Sequence, residues 1–154
     1  MRKIDRFDRQ LLHMLQENCD VSVADLADKI GLSTNACWRR IKRLQDEGLI
    51  ESRVALLNPE ALGLNVTVFV SVKTSQHNED WLSRFADGIA DIPEVTEFYR
   101  MSGDIDYLLK VVVKDIQDYD RVYKKLIAVA PMQDVSSSFA MERIKSSTAL
   151  PLPD

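Results

Sequence analysis

The chain has 154 residues, of which 45% are hydrophobic, and this is enough to build one ordinary domain or two small ones with packed cores. No segment approaches the roughly 18 consecutive apolar residues that span a bilayer, and the polar start of the chain is unlike a secretory signal. We therefore expect a cytoplasmic protein with no membrane partner. The two cysteines and two histidines are too few for a disulfide framework or a zinc site, so we expect reduced thiols and no metal or other cofactor.

Charge is distributed unevenly along the chain. The formal net charge of -4 by itself argues against nucleic acid as a partner, because phosphate binding is mostly electrostatic. Residues 1–60, however, hold ten Lys or Arg and ten Asp or Glu, so the whole negative surplus lies in residues 61–154. Residues 34–43 contain four cations and no acid. Because a local patch matters more to a partner than the total charge, nucleic acid stays a candidate partner.

Two short helices are predicted at the start of the chain. Apolar residues recur at helical spacing from Ile4 to Leu15 and predict a first amphipathic helix that ends near Asn18. Ser22, followed three residues later by Asp25, resembles a capping box and predicts the start of a second helix. Gly31 predicts the end of that helix, because glycine readily adopts the left-handed conformation of a helix C-cap.

A third helix is predicted from the N-cap Ser33 to about Glu47, where Gly48 ends it. The short connection between the second and third helices is typical of a helix-turn-helix. At about 100° per residue, one side of the third helix packs and the other is basic. The packing side comprises Cys37, Ile41 and Leu44, with Trp38 at its margin, and the basic side comprises Asn35, Arg39, Lys42 and Arg43. This position favours a DNA-recognition helix over the alternative, a solvated charged face.

The residue pattern changes after Gly48. Leu49–Leu57 is rich in residues that favour strands, and turn-forming residues follow at Asn58–Gly63. We therefore predict a helix-turn-helix DNA-binding domain at residues 1–50, a linker strand and hinge at 51–63, and a second domain at 64–154.

Residues 64–154 predict an α+β domain. Alternating residues indicate strands at 66–73, 94–101, 105–113 and 135–141, and helical stripes indicate helices at 81–89 and 115–130. The order β-α-β-β-α-β is the ferredoxin-like arrangement, which places both helices on one face of a four-stranded antiparallel sheet. The other face then carries Phe69, Leu108 and Val112, an apolar patch that a second copy of the chain would cover. We predict an obligate dimer through this domain.

An ordered set of motifs along almost the entire chain resembles the Lrp/AsnC (leucine-responsive, feast/famine) family of transcription regulators. In the first part they are Ile4-Asp5-Arg6, Asp25-Leu26-Ala27, Gly31-Leu32-Ser33, Cys37 to Leu44 and Gly48-Leu49-Ile50. In the second part they are Pro93-Glu94-Val95, Gly103 with Asp106-Tyr107-Leu108, and Ser137-Ser138-Phe139. The resemblance implies a winged-helix-like DNA-binding domain, an effector-binding domain, and dimers that assemble further, commonly into octamers.

Finer details resemble one branch of that family, which senses L-cysteine and activates its degradation. They include Cys37-Trp38, Ala55-Leu56-Leu57 and the segment from Tyr99 to Gly103. The chain departs from the commonest family pattern at Asn35 and Ala36, where Pro is frequent at one of the two, and at Trp38, where Leu is usual. The resemblance therefore implies an L-cysteine effector, and the departures affect the operator sequence rather than the fold.

The third helix and its N-terminus supply the residues that we predict to contact DNA. They are Ser33, Thr34, Asn35, Arg39, Arg40, Lys42 and Arg43. The cations suit phosphates or guanine edges, the polar side chains of the first turn suit base edges, and Ser33 suits a phosphate. Arg40 lies nearest the packed side, so an ordinary surface role stays open for it. We expect Trp38 to be a core or rim aromatic rather than a wedge between bases, and Cys37 to be a packed side chain rather than a redox sensor.

By resemblance, the effector binds near the dimer interface, around the hairpin turn that contains Gly103. The predicted contact residues are Met101, Gly103, Asp104, Asp106, Ser136 and Ser138. A glycine turn lets backbone N–H groups approach the carboxylate of an amino acid, the aspartates suit its ammonium group, and Met101 would line the side-chain pocket. Two alternatives stay open: Asp104 is only a turn former, and Ser136–Ser138 is an ordinary polar strand.

We therefore predict a sequence-specific regulator of amino-acid metabolism that binds double-stranded DNA at the nucleoid and responds to an amino acid. Two other classes of function stay open. A small ferredoxin-like enzyme has little support, because His13 and His77 join no Cys/His or Ser/His arrangement and the chain has no phosphate loop, so we expect no enzymatic activity. An architectural protein without an effector would bend or wrap DNA whether or not an amino acid is present.

Overall fold

The computed structural model describes residues 4–76 and 78–153. The chain divides into a helical unit, which contains Met1–Leu56 and Ile144–Asp154, and a sheet unit, which contains Leu57–Arg143. This division differs from the predicted 64–154 domain, because the C-terminal segment groups with the helices. His77, which was considered above as a catalytic candidate, and the polar start at residues 1–3 lie outside the described residues. No helix in the described part of the chain is both long enough and apolar enough to cross a membrane.

The helical unit contains three helices, α1 at Arg6–Glu17, α2 at Val23–Ile30 and α3 at Thr34–Asp46. Ser22 and Ser33 are the N-caps of α2 and α3, and Gly31 ends α2 in the left-handed conformation with a φ of 71°. The three predicted helices and the signals that begin and end them are therefore confirmed.

The complete capping box of this unit lies on α1 rather than on α2. The Asp5 carboxylate accepts a hydrogen bond from the Asp8 N–H at 2.9 Å, and the Asp8 carboxylate accepts one from the Asp5 N–H at 3.1 Å. At α2, the Ser22 hydroxyl caps the Asp25 N–H at 3.1 Å, but the Asp25 carboxylate accepts from that hydroxyl and not from the backbone. The predicted capping box at Ser22 is therefore half formed, because the hydroxyl competes for the carboxylate.

Apolar side chains from all three helices form one core. Its buried members are Leu11, Leu15, Leu26, Ala27, Ile30, Cys37 and Ile41. Cys37 is completely buried, and this burial raises the pKa of its thiol. A thiol that is buried and protonated is a poor nucleophile, so the interpretation of Cys37 as a packed side chain is confirmed.

The linker is not a strand, contrary to the prediction for Leu49–Leu57. Residues 51–57 have no regular secondary structure, and a 3₁₀ turn follows at Glu60–Leu62. A strand needs a hydrogen-bonding neighbour, and no backbone bond from another described segment reaches residues 51–57. The composition of this segment favours a strand, but one copy of the chain, over its described residues, provides no neighbouring strand for it to pair with.

The sheet unit has the predicted β-α-β-β-α-β order. Its elements are β1 at Val66–Lys73, α4 at Glu79–Ala90, β2 at Val95–Arg100, β3 at Tyr107–Val113, α5 at Ile116–Val129 and β4 at Asp134–Phe139. The strands form one antiparallel sheet in the order β2-β3-β1-β4. The ferredoxin-like α+β fold is therefore confirmed. β4 ends before the predicted residue 141, and Met141 is exposed.

Both helices of the sheet unit pack on one face of the sheet. The buried strand residues on that face include Val68, Val70, Val72, Leu109 and Val111, and they form one core with Trp81 and Phe85 of α4 and with Val122 and Leu126 of α5. The opposite face, here called the open face, carries Thr67, Phe69, Ser71, Glu97, Tyr99, Leu108, Lys110, Val112, Ser136 and Ser138. The predicted division of the sheet into a covered and a bare face is confirmed.

Candidate DNA interface and effector site

α3 presents most of the predicted DNA-contacting side chains to solvent. The exposed ones are Ser33, Thr34, Asn35, Arg39, Lys42 and Arg43, whereas Arg40 is half-buried. The Ser33 hydroxyl accepts a hydrogen bond from the Ala36 N–H at 3.3 Å, so it serves as the helix cap. The first turn of α3 also carries the positive end of the helix dipole. The exposed side of α3 is thus polar and positively charged.

A buried carboxylate holds two of the α3 arginines. Asp8 of α1 is completely buried; it accepts a hydrogen bond from Arg40 Nη1 at 2.9 Å and forms an ion pair with Arg43 Nη2 at 2.5 Å. Arg40 Nη1 also lies 2.6 Å from the Asp5 carboxylate, and its guanidinium lies 5.3 Å from the centre of the Phe7 ring. These charge-assisted and cation–π contacts attach α3 to α1.

The ionisation of Asp5 and Arg40 reflects this contact. Burial acts to raise the pKa of Asp5, but hydrogen bonds from the Asp8 N–H and from Arg40 outweigh it, and the net pKa is lowered. The hydrogen bond to Asp5 in turn raises the pKa of Arg40. Arg40 is therefore a charged group engaged within the helical unit, which favours the ordinary role left open for it. Its contact with DNA stays a prediction.

Arg39 and Lys42 make weaker contacts than the two arginines that Asp8 holds. Arg39 has no carboxylate partner among the described residues, and its Nε reaches only the Asn35 carbonyl at 3.4 Å. Lys42 Nζ lies 2.8 Å from the carboxylate of Asp46, but both side chains are exposed, and such surface pairs contribute little. Phosphate oxygens can therefore engage these two cations without breaking a buried contact.

The turn between β2 and β3 contains four of the six predicted effector residues. Met101, Gly103 and Asp104 are exposed, and Gly103 has a φ of 119°, a conformation that residues with a Cβ rarely adopt. Asp106 is half-buried, and its carboxylate accepts a hydrogen bond from the Thr74 N–H at 2.8 Å. Asp106 thus ties the turn to the end of β1, and its contact with an effector stays a prediction.

Ser136 and Ser138 lie on the open face, away from the helices, as predicted. Ser137 between them faces the helices, where its hydroxyl is hydrogen-bonded to that of Tyr119. β1, however, separates β4 from β3 in the sheet. Neighbouring strands lie about 4.8 Å apart, so the two serines are about 10 Å from the strand that follows the turn. One copy of the chain therefore does not bring the six predicted effector residues together.

Sequence reasoning missed a charged network on the open face. Glu97 accepts hydrogen bonds from Lys110 Nζ at 2.7 Å and from the Tyr99 hydroxyl at 2.7 Å. The hydrogen bond from Lys110, followed by that from Tyr99, lowers the pKa of Glu97. Glu97 and Lys110 are direct cross-strand partners, and the register that makes them so includes an irregularity in β2. The alternation of residues in the sequence does not reveal this register, so it could not predict that Glu97 and Lys110 are partners.

A cavity of about 980 Å³ lies within the helical unit. Its walls are the end of α1, residues 49–56 and residues 148–153. The side chain of Gln16 attaches the C-terminal segment there, because its Nε2 donates to the Leu150 carbonyl at 3.0 Å and its Oε1 accepts from the Leu150 N–H at 2.9 Å. None of the predicted effector residues lines this cavity.

A helix-turn-helix with a basic recognition helix, joined to a ferredoxin-like domain, defines the class of DNA-binding transcription regulators that carry a separate ligand-binding domain. Residues 4–51 match the family model of a winged helix-turn-helix DNA-binding domain, and residues 67–150 match that of the Lrp/AsnC ligand binding domain. The chain belongs to the Lrp/AsnC family of transcription regulators.

Named transcription regulators are similar to this protein along almost its whole length. A glutamate uptake regulatory protein of Zymomonas mobilis is 50% identical over 154 residues, which are all of this chain and 94% of the relative. The DNA-binding transcriptional activator DecR of Escherichia coli is 47% identical over 150 residues, which are 97% of this chain and 99% of the relative.

Solved structures show the same fold. An AsnC family transcriptional regulator from Agrobacterium tumefaciens superposes with a TM-score of 0.93 at 55% identity, covering 96% of this chain and 97% of that one. A transcriptional regulator from Neisseria meningitidis, crystallised as a complex with L-Met, superposes with a TM-score of 0.91 at 33% identity, covering 97% of each chain.

Proposed function

We propose that this regulator controls genes of amino-acid metabolism in response to an amino acid bound between two copies of the chain. The observation that carries the proposal is the separation of the Gly103 turn from Ser136 and Ser138 within one copy. When a second copy covers the open face, its own Gly103 turn and its own Ser136 and Ser138 lie at the same interface. In this arrangement the turn of one copy and the serines of the other bind the two charged ends of one amino acid.

The open face supplies the apolar area for such a dimer. Phe69 of β1 lies on this face and is 39% exposed in the single chain, and its cross-strand partners are the polar residues Lys110 and Ser138. Leu108 and Val112 of β3 lie on the same face. Pairing of two open faces would remove the Phe69 ring and its apolar neighbours from water and so stabilise the dimer. We further propose that such dimers assemble into octamers and that residues 51–63 link the DNA-binding domain to the dimerisation domain.

We propose L-cysteine as the effector, because the chain resembles the cysteine-sensing branch of the family and is 47% identical to DecR. The Neisseria relative supports an α-amino acid as the ligand class, since its structure contains L-Met. The backbone N–H groups around Gly103 and the hydroxyls of Ser136 and Ser138 suit the charged groups that all α-amino acids share. Met101 is placed to contact the side chain.

Thermal unfolding of the full chain against the twenty amino acids tests this part of the proposal. A ligand that binds only the folded state raises the melting temperature as its concentration rises. We expect the largest rise with L-cysteine and a loss of that rise in Gly103→Val and Ser136→Ala, with Ser83→Ala on α4 as the matched control. A larger rise in melting temperature with L-methionine or L-glutamate would identify that amino acid, rather than L-cysteine, as the effector. No rise with any amino acid, together with DNA affinity unaffected by all of them, would contradict the effector claim and favour the architectural alternative.

The proposal assigns DNA contact to the exposed side of α3. Arg39→Ala should weaken binding to an operator duplex by about 1–3 kcal/mol and reduce the salt dependence by about one counterion, because Arg39 is free to bind phosphate or guanine. Lys124→Ala is the matched control, since Lys124 is an exposed cation on α5 that pairs with Asp120. Unchanged affinity and salt dependence in Arg39→Ala would assign DNA binding to another surface.

A further inference from the structure

Trp38 is a large apolar side chain that lies exposed on α3. Its relative exposure is 56%, whereas Trp81, the other of the two tryptophans, is completely buried in the sheet unit. The expectation of a core or rim aromatic therefore holds only for the rim. Complete burial of an aromatic side chain removes about 150–250 Å² of surface from water, and roughly half of this area is still exposed at Trp38, so covering the ring would add stabilisation.

Polar and positively charged residues surround Trp38. At about 100° per residue, Thr34 and Lys42 lie about 40° to either side of it on the helix, and Arg39 lies about 100° away. Lys42 and Arg39 are the two α3 cations that the buried carboxylate does not engage. A surface that combines an uncovered ring with accessible cations complements an anionic partner that also offers an apolar contact.

We propose that Trp38 contacts the C5-methyl group of a thymine in the DNA major groove and contributes to the sequence preference of the regulator. This inference rests on the proposed function, in which α3 binds DNA. The thymine methyl is the apolar group that bases present in the major groove, and side chains recognise it by apolar contact. Arg39 and Lys42 would meanwhile bind the phosphates or guanines on the same stretch of DNA.

The position of Trp38 explains why it acts on the edge of the groove rather than as an intercalating wedge. Ile41, about 60° from Trp38 on the helix, is buried in the core, so the ring stands where the exposed side of α3 meets the packed side. Thr34 lies between them and is also exposed. A side chain at this border extends along the helix surface and contacts groups that project from the base edges.

Selection from a random-sequence duplex library by the full-length protein gives the DNA probe for the test. Each thymine of the enriched duplex is then replaced by uracil, which removes only the methyl group. Burying one methyl changes affinity by about fourfold, and we expect a loss of this size at one or more uracil positions with the wild-type protein. In Trp38→Gln the same replacement should have no effect, because the ring that contacts the methyl is absent. Ile127→Ala, which shortens a 47% exposed side chain on α5, should behave as the wild type does.

Acrylamide quenching tests the contact in the unaltered protein, so the test does not depend on the folding of a variant. Trp81 is completely buried, and the quenchable fluorescence therefore reports on Trp38. We expect quenching to fall when the selected duplex is added. Quenching that is already low without DNA and falls further with protein concentration would mean that another copy covers Trp38, and this would overturn the proposal.

Two results separate this proposal from the proposed function. If the protein enriches a duplex, but uracil has no effect and Trp38→Gln selects the same sequence, Trp38 does not read thymine and α3 remains the DNA-binding helix through its cations. If no duplex is enriched and Arg39→Ala changes nothing, both the proposed function and the role of Trp38 are overturned.

Discussion

The helical unit places a charge in its interior, whereas the sheet unit places its charges on the surface. Among the described residues, Asp8 is the one charged side chain that is buried, and its partners are two arginines of α3. The interior of the sheet unit is apolar and aromatic, with the Trp81 and Phe85 rings 4.8 Å apart. The difference teaches that α3 is attached by buried ion pairs in addition to an apolar core, whereas the interior of the sheet unit is held by apolar and aromatic packing.

Removal of the buried carboxylate should have the largest effect. Asp8→Ala leaves Arg40 and Arg43 without their shared partner, and breaking a buried ion pair costs about 3–5 kcal/mol. Because both arginines retain some exposure, we expect a value near the lower limit. Urea denaturation measures the loss, and hydrogen exchange should show it in α1 and α3 and not in the sheet. Asp46→Ala, which breaks an exposed pair with Lys42, is the control and should cost less than about 0.5 kcal/mol. Equal losses of stability in Asp8→Ala and Asp46→Ala would contradict the claim that the buried charge stabilises the helical unit more than an exposed pair does.

An added methyl group at Gly88 tests the packing of the sheet unit. A Cβ at this position of α4 would overlap Val129 Cγ1 of α5. Overpacking costs about 1–3 kcal/mol, which exceeds the roughly 1 kcal/mol that alanine gains over glycine in a helix, so we expect Gly88→Ala to destabilise by about 1 kcal/mol. In a chain that also carries Val129→Ala, the same substitution should be neutral or stabilising. Stabilisation by Gly88→Ala alone would show that α5 moves away without cost.

Acidification tests the weaker electrostatics at the surface of the sheet unit. Arg121 Nη2 lies 2.5 Å from Glu94 Oε1, and this hydrogen bond lowers the pKa of Glu94 below its usual value. The unfolded chain then binds a proton at higher pH than the folded one, so the stabilisation is present above about pH 4.3 and is lost as pH falls through the folded pKa. On acidification through this range, urea denaturation should show that the ion pair's contribution of about 1 kcal/mol to the free energy of unfolding is lost. The decrease should be smaller in Glu94→Gln, which has no carboxylate to protonate. If the free energy of unfolding of Glu94→Gln falls with pH as steeply as that of the wild type, the Glu94–Arg121 pair is not the cause of the decrease.

The attachment of the C-terminal segment should have the smallest effect. Gln16→Ala removes both hydrogen bonds to Leu150, which are exposed to water and contribute less than about 1 kcal/mol together. Hydrogen exchange of residues 148–153 should become faster, while exchange in the sheet stays unchanged. Gln45→Ala, which replaces an exposed glutamine of α3, is the matched control. Unaltered exchange in Gln16→Ala would mean that apolar contacts alone hold the segment.

Elements that depend on neighbouring residues could be predicted from the sequence. Ser33 and Asp115 cap helices in the structure because a short polar side chain can reach the N–H groups three residues ahead. The same spacing at Asp5 and Asp8 was an available signal for the capping box that sequence reasoning missed. The linker strand was predicted wrongly, since strand formation requires a partner that residue preference does not supply.

Much of the candidate site depends on residues that are far apart in the chain. Helical periodicity placed Arg40 nearest the packed side of α3, but Arg40 lies 32 residues from Asp8, so nothing local identified the carboxylate that engages it. Likewise, the distance from the turn to Ser136 and Ser138 follows from the strand order, in which β1 lies between β3 and β4. Sequence reasoning therefore identified the residue types of both candidate sites, but not which of them one chain brings together.

The sequence by itself determined the two domain types, the order of helices and strands, and the basic side of α3, because hydrophobic periodicity, capping residues and turn glycines act over a few residues. Only the tertiary structure decided which α3 cations are engaged by Asp8, that Trp38 stays exposed, and that the C-terminal segment joins the helical unit. The physical reason is that burial and ion pairing depend on distances between distant residues, and these exist only when the chain is folded.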